Sequence, residues 1–365
     1  MNQVWTPESA TEILRGTARL AEAHSPSHFA VAGPILRTQI GHVRSTLANP
    51  QPPAALSGHS IDPDVLACVE ARVGALEQSE KNRTSSTPMA LYYAARTEHQ
   101  LITDYLTRNE YDGRTVTRLL LLAARTAALC GWLSSSLGEE GVAERYSLVS
   151  IRAATAAGAS DHTATYLGRL AASHCRDGNP LDALSLIRAA RVIGERPSPR
   201  RAAVLYAREA RAHALLGESA AGARALHRAE DALSAIVDDE SRTVGAPDAN
   251  IDEEWLTTAF GVAWLELGQP SRALDCFTSL LCDGPPSAVP ASARPYTSRG
   301  LLHVVDAQLA LSELDAAVRA ARRAVALLGI LPPRLAHAYR KRFASRVAEP
   351  SVRDLFELLG DPPRH

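Results

Sequence analysis

Arginine, tryptophan and acidic residues stand at equivalent positions of five related segments, and the arginines and tryptophans together could bind an anionic ligand. Arg supplies paired donors that fit a carboxylate, and Trp supplies a large apolar anchor. On one concave surface, these side chains would suit a peptide C-terminus or an acidic segment. The alternative is that the tryptophans lie in the core and the arginines form a solvated face. The candidate ligand-binding residues are Arg125, Trp132, Arg176, Arg211, Trp255, Glu266, Arg299 and Asp306.

Two histidines, His174 and His213, also occupy equivalent positions, which raises the question of a metal site. No Asp or Glu lies in register with both, and the motif HExxH is absent. The pattern therefore favours histidines packed between helices. The motifs GxxxxGK[ST], GxGxxG and GxSxG are absent too. We predict no metal, no cofactor and no catalytic residues, although catalytic groups assembled across a fold would leave no linear motif.

The candidate residues belong to a repeat that predicts pairs of helices. In each unit a small residue is followed seven positions later by Gly or Ser, and five positions after that by a small residue again. The middle residue predicts a turn, because Gly can adopt φ > 0 and end one helix as the next begins. The flanking small residues let the two helices approach closely. The units are Gly131/Gly138/Ala143, Ala171/Gly178/Ala183, Ala210/Gly217/Gly222, Gly261/Gly268/Ala273 and Val305/Ser312/Ala317.

This repeat predicts an all-α fold, a TPR-like α-solenoid in which antiparallel helix hairpins form a right-handed superhelix. The units recur every 39 to 51 residues, which is longer than the about 34 residues of a standard TPR unit. In TPR-type grooves the first helix of each unit lines the concave surface. Ligand contacts come from positions six before, one after and four to five after the small residue, and this rule selects the eight candidates.

Three regions are expected along the chain. Residues 1–120 form a helical cap or degenerate repeats, residues 121–330 carry the five hairpins, and residues 331–365 form capping helices. Two stretches rich in Gly, Pro and polar residues, 238–250 and 283–295, predict loops. In the N-terminal region the expected helices run from Thr6 to about His24 and over Phe29–Leu47, Val65–Gln78 and Ala90–Thr107.

A dense basic stretch, PRLAHAYRKRFASR at 333–346, stands near the C-terminus. It predicts a capping helix with an exposed basic face and with Leu335, Ala338 and Phe343 turned inward. Docking of an acidic partner or a nucleic acid is the alternative.

Composition excludes several classes of protein. The net charge is −1, whereas a protein that binds a phosphate backbone carries a basic excess. Almost all positive charge is Arg, which together with abundant Ala is typical of a high-GC organism such as an actinobacterium. Five scattered cysteines predict reduced thiols. No signal peptide and no run of 18 apolar residues is evident, so we expect a cytoplasmic protein without a membrane span.

Several segments resemble the C-terminal TPR region of actinobacterial XRE-type transcriptional regulators. They are WLSSSLGEEGVAERYSLVSIRAATAAG, GNPLDALSLIRAA, RAAVLYAREARAHALLGESA and DEEWL, and the resemblance covers about residues 65–360. In that family a helix-turn-helix precedes a solenoid that is thought to receive a signal. Here the chain opens with MNQVWTPESATEILRG, in which WTPESATEILRG resembles family sequence lying after the DNA-binding domain, so direct DNA binding is not expected.

The resemblance implies a ligand- or peptide-responsive regulatory protein that binds a peptide, a small-molecule signal or a protein partner in its groove. Two alternatives remain open, a protein–protein scaffold and an enzyme recruited from a regulator solenoid in a biosynthetic gene cluster. A homodimer is also left open, because no interface stripe is visible. We expect Arg211→Ala to weaken ligand binding.

Overall fold

The computed structural model describes residues 6, 9–12, 14, 33–49, 61–81, 88–108, 111–137, 139–193, 198–235, 253–281, 284–290 and 293–360. Every regular element in these ranges is helical, so the all-α prediction is confirmed. The helices are α1 Gly33–Ala48, α2 Pro63–Lys81, α3 Pro88–Arg108, α4 Gly113–Leu137, α5 Glu140–Ala156, α6 Ser160–Arg176, α7 Pro180–Ile193, α8 Pro199–Leu215, α9 Ser219–Ser234, α10 Glu253–Glu266, α11 Pro270–Cys276, α12 Arg294–Ala310, α13 Leu314–Leu328, α14 Pro333–Phe343 and α15 Pro350–Leu358. Short 3₁₀ turns lie at Pro286–Ala288 and Ala344–Arg346.

The predicted turn residues end helices as expected. Gly178, Gly217, Gly268 and Ser312 have φ of 79°, 76°, 73° and 64°. The fifth predicted turn residue, Gly138, lies outside the described residues. In each turn the residue after the positive-φ position donates its N–H to a carbonyl in the last turn of the preceding helix, for example Asn179 to His174 at 2.8 Å. This is the bond of a Schellman motif, which satisfies a carbonyl that the helix end leaves open.

The small residues of the repeat lie where the two helices of a pair come closest. A Cβ added at Gly131 would stand 3.2 Å from the carbonyl oxygen of Ala143, its predicted partner. A Cβ at Gly222 would likewise stand 3.1 Å from the carbonyl oxygen of Ala210. Backbones therefore approach closely in α4–α5 and α8–α9, and the pairs α6–α7, α10–α11 and α12–α13 are also in contact, as the repeat predicts.

Contacts between pairs follow the order of the chain. We call α2, α4, α6, α8, α10, α12 and α14 the first helices. The first six each come first in a pair of contacting helices, and α14 follows the last predicted pair. Contacts join α2 to α4, α6 to α8, α8 to α10, α10 to α12 and α12 to α14. The second helix of one pair also contacts the first helix of the next, as in α5–α6 and α7–α8.

The N-terminal helices pack in two different places. Helices α2 and α3 contact each other and α4, ahead of the first predicted hairpin. Helix α1 instead lies on the second helices α5 and α7, where the Gly33 N–H donates to Asp182 Oδ2 at 2.9 Å. The predicted helix from Thr6 to His24 lies largely outside the described residues, as does the predicted loop 238–250.

The C-terminal helices α14 and α15 cover α12 and α13. Phe343 is fully buried, and Leu335 and Ala338 pack partly buried against the same core, as predicted for a capping helix. Tyr339 is also fully buried and donates its hydroxyl to the Ser298 carbonyl at 2.6 Å.

Helix α4 is long and apolar enough to cross a membrane by length and composition. However, 61% of its most apolar window is buried inside the protein. Its buried side chains contact α3 and α5, so in this fold α4 serves as a core helix.

Candidate functional site

The eight predicted ligand-binding residues all lie on first helices. Arg125 and Trp132 are on α4, Arg176 ends α6, and Arg211 is on α8. Trp255 and Glu266 are on α10, while Arg299 and Asp306 are on α12. The structure therefore places the candidates on neighbouring elements, but their side chains divide into three groups with different surroundings.

The first group forms ion pairs that connect first helices to one another. Arg125 donates to both carboxylate oxygens of Glu77 on α2, with its Nε 2.9 Å from Oε1. Burial lowers the pKa of Arg125, but the hydrogen bonds and charge of Glu77 outweigh burial and the pKa is raised overall. Asp306 accepts two bonds from Arg342 on α14 at 2.6 and 2.8 Å. Arg125 and Asp306 thus hold helices together.

Two further candidates pair with each other. The Arg211 guanidinium lies 3.5 Å from Glu266 Oε1 and joins α8 to α10. This long contact leaves both side chains partly exposed, at 24% and 34%. Arg176 is more exposed and donates to Ser135 and Ser173 at 3.0 Å, with Glu140 3.7 Å away. Arg176 and Arg211 are therefore tethered but accessible.

The tryptophans belong partly to the core. Trp132 packs half-buried against the N-terminal apolar cluster, and Trp255 packs half-buried against the C-terminal one. For both residues the core interpretation therefore holds in part.

The third group is a set of arginines without acidic partners among the described residues. Arg299 on α12 is exposed and makes no ion pair with any part of the chain that the structure describes. Its pKa is nevertheless lowered, because the surrounding chain desolvates it and because Arg176 carries a like charge nearby.

Two members of this group were missed by the sequence rule, Arg169 on α6 and Arg208 on α8. Arg208 lies between two other first helices. Its guanidinium carbon is 5.6 Å from the ring centroid of Trp255, and a Cβ added at Gly168 would come 2.8 Å from its terminal nitrogen. Within the described ranges neither arginine has an acidic partner, and Arg169 stacks 5.8 Å from the Tyr166 ring.

The electrostatics of Arg208 mark it as the centre of this set. Burial, together with the like charges of Arg169 and Arg176, lowers its pKa to about 9. We call Arg169, Arg176, Arg208 and Arg299 the arginine cluster. It draws on three helices and carries more positive than negative charge, so an anion is its natural complement.

A signal in the sequence could have found Arg169 and Arg208. Both stand two residues before the small residue of their unit, at Ala171 and Ala210. Positions six before, two before, one after and five after are spaced by four, three and four residues. That spacing describes one helix face, so the omitted position completes the stripe from which the candidates were chosen.

The two equivalent histidines do not form a metal site. His174 is fully buried, whereas His213 Nδ1 lies 2.6 Å from Glu218 Oε2 in its own turn. Across the part of the chain that the structure describes, no group of three His, Cys, Asp or Glu residues could hold a metal ion. The described cysteines Cys68, Cys130 and Cys175 are free thiols, as is Cys276.

No model of a known protein family matches the chain, and no curated protein is significantly similar to it. The geometry of the first helices therefore carries the functional interpretation.

Proposed function

We propose that the chain is a TPR-like solenoid, a right-handed superhelix of helix hairpins, that binds a carboxylate-bearing ligand or peptide in the groove lined by its first helices. The observation that carries this proposal is the arginine cluster. Arg169, Arg208 and Arg299 lack acidic partners among the described residues, although Arg125 and Arg211 on the same face each have one.

The physical reason is the cost of keeping cations together in a partly desolvated place. Burial of an uncompensated charge is unfavourable, and neighbouring like charges add to the cost. A fold keeps such an arrangement where a ligand supplies the missing charge. A carboxylate between Arg169 and Arg208 would accept several donors at once. Trp255, beside Arg208, would then pack against an apolar part of the ligand.

We assign the protein a regulatory role, as a receptor for this ligand, on the basis of its resemblance to the solenoids of XRE-type regulators. The ligand would act by stabilising one packing of the helix pairs, which a partner protein could then recognise. On the same resemblance we place the protein in the cytoplasm.

Native mass spectrometry of the protein purified from its own host tests this function. We expect the wild-type protein to retain an anionic small molecule or peptide, and Arg208→Met to lose it while keeping its helical content. Arg319→Met is the matched control, because Arg319 is an exposed residue of α13 outside the first helices. Equal retention by wild type and Arg208→Met would remove the cluster as the binding site.

A further inference from the structure

One hydrogen bond joins two helices that are far apart in the order of the stack. The Tyr296 hydroxyl, in the first turn of α12, donates to Glu80 Oε1, at the end of α2, at 3.1 Å. The two residues are 216 positions apart in the chain. Helices α2 and α12 are separated by four intervening first helices, so this contact brings distant parts of the stack together.

Arg299, in the same part of α12, is also influenced by residues from earlier in the chain. Arg299 lies one turn after Tyr296, and its pKa responds to the charges of Arg176 at the end of α6 and of Glu140 at the start of α5. Helix α12 thus faces back towards the beginning of the stack at two points, the Tyr296–Glu80 contact and the neighbourhood of Arg176.

The cations of the arginine cluster come from helices that are far apart in the order of the stack. Arg169 and Arg208 come from α6 and α8, while Arg299 comes from α12. The charge of Arg176 lowers the pKa of both Arg208 and Arg299. Cations on facing walls repel each other, and a ligand with several negative groups would relieve the repulsion on both sides at once. A ligand with one negative group would leave one wall uncompensated.

We infer that the groove encloses a compact polyanion, held by Arg169 and Arg208 on one wall and Arg299 on the other, and that it opens for ligand exchange at the Tyr296–Glu80 contact. This inference rests on the proposed function and narrows its ligand class. An enclosed site takes a small polycarboxylate or a short acidic peptide, whereas a folded protein partner needs an open groove.

The closing contact can be tested without any ligand. Spin labels on Ala75→Cys of α2 and Ala310→Cys of α12, both exposed positions, would report the separation of these helices in a background without the native cysteines. We expect a narrow distance distribution for the parent protein and a broader, longer one for Tyr296→Phe, which removes only the hydroxyl. Ser312→Gly, in the turn after α12, is the control and should leave the distribution narrow. Identical distributions for the parent and Tyr296→Phe would overturn the closure.

The ligand class can be tested with citrate and acetate at equal ionic strength. We expect citrate, and not acetate, to raise the melting temperature of the wild-type protein, and Arg299→Met to bind citrate about tenfold more weakly. Citrate should also narrow the distance distribution of Tyr296→Phe, because it would bridge the two walls. Citrate and acetate could change the melting temperature equally while host-purified wild-type protein retains a ligand that Arg208→Met loses. The inference of an enclosed polyanion would then be wrong, and the proposed function would stand. If neither anion acts and no such ligand is retained, both fail.

Discussion

The guanidinium of Arg208 lies 5.6 Å from the ring of Trp255, on the neighbouring first helix, with no carboxylate of the described residues beside it. A desolvated cation over an indole ring is stabilised by about 2 kcal/mol, but the ring does not supply the counter-charge that an acidic partner would. The arrangement positions Arg208 and leaves its hydrogen-bond donors for another molecule. The predictions below separate that role from a structural one.

Gly168→Ala should displace Arg208 and weaken citrate binding by about tenfold, or ~1.4 kcal/mol. The added Cβ would stand 2.8 Å from the Arg208 terminal nitrogen and also from Leu205 Cδ2. Isothermal titration calorimetry would measure the change.

Gly74→Ala is the matched control, because Gly74 also lies inside a helix but a Cβ there has no neighbour within 4 Å. Gly74→Ala should stabilise the protein by about 0.5–1 kcal/mol and leave binding unchanged. Equal citrate affinity in the two variants would show that Gly168 does not position Arg208.

Arg208→Met should remove ligand binding without lowering the free energy of unfolding at pH 7. Methionine preserves much of the apolar stem, and the substitution removes a cation that burial and like charges disfavour. Urea denaturation at pH 7 would measure this. A clear loss of stability would mean that Arg208 is structural.

The pH dependence of that comparison has a defined sign. Because the folded-state pKa of Arg208 is lowered to about 9, above pH 9 the unfolded chain binds more protons at this residue than the folded protein does. The wild-type protein therefore gains stability relative to Arg208→Met as pH rises through 9. Denaturation of both proteins at pH 8 and pH 10 would show the gain, and a constant difference between them would contradict the lowered pKa.

Gly222→Ala should destabilise the protein by about 1–3 kcal/mol, the usual cost of overpacking. A Cβ at this position would lie 3.1 Å from the carbonyl oxygen of Ala210 and 2.7 Å from Leu267 Cδ2. The backbone oxygen cannot move without shifting α8. Thermal and urea unfolding would give the value. If Gly222→Ala were as stable as wild type, the close approach of α8 and α9 would be wrong.

The turns offer a paired test of the repeat. Ser312 occupies with φ of 64° the position that Gly268 occupies with φ of 73° one unit earlier. Ser312→Gly should stabilise the protein by about 0.5–1 kcal/mol, whereas Gly268→Ala should destabilise it by about 1–2 kcal/mol, because only Gly adopts this conformation without steric cost. If the two substitutions change the free energy of unfolding in opposite directions, as denaturant unfolding would measure, the two turns are equivalent. Equal changes would contradict this equivalence.

The local part of the fold could be predicted from the sequence. A Gly or Ser between two apolar-periodic stretches determines where one helix ends, and small residues at fixed offsets determine where two helices touch, so Gly217 and Gly222 indicated both features. Gly158 has φ of 69° and forms the same type of turn between α5 and α6, but it was missed because it connects successive units instead of the helices of one unit.

The partners of the charged residues could not be predicted, because they depend on which helices become neighbours. Arg125 pairs with Glu77, and Asp306 pairs with Arg342, each from a different helix and without a local motif. Position along a helix selected both as groove residues, but only tertiary packing shows that these charges are already neutralised. The same packing reveals Arg208 as a cation without an acidic partner among the described residues.

The central claim is that the arginine cluster binds a carboxylate-bearing ligand in the groove. Two pools of tetrapeptides test it most directly. The free-carboxylate pool carries Asp or Glu at two positions and a free C-terminus, and the amidated pool carries Asn or Gln at those positions and a C-terminal amide. Peptides retained by immobilised wild-type protein and by Arg208→Met would be counted by mass spectrometry. We predict that wild type retains peptides of the free-carboxylate pool, and that neither the amidated pool nor the Arg208→Met protein gives retention. Equal retention of both pools by wild type, or of the free-carboxylate pool by both proteins, would contradict the claim.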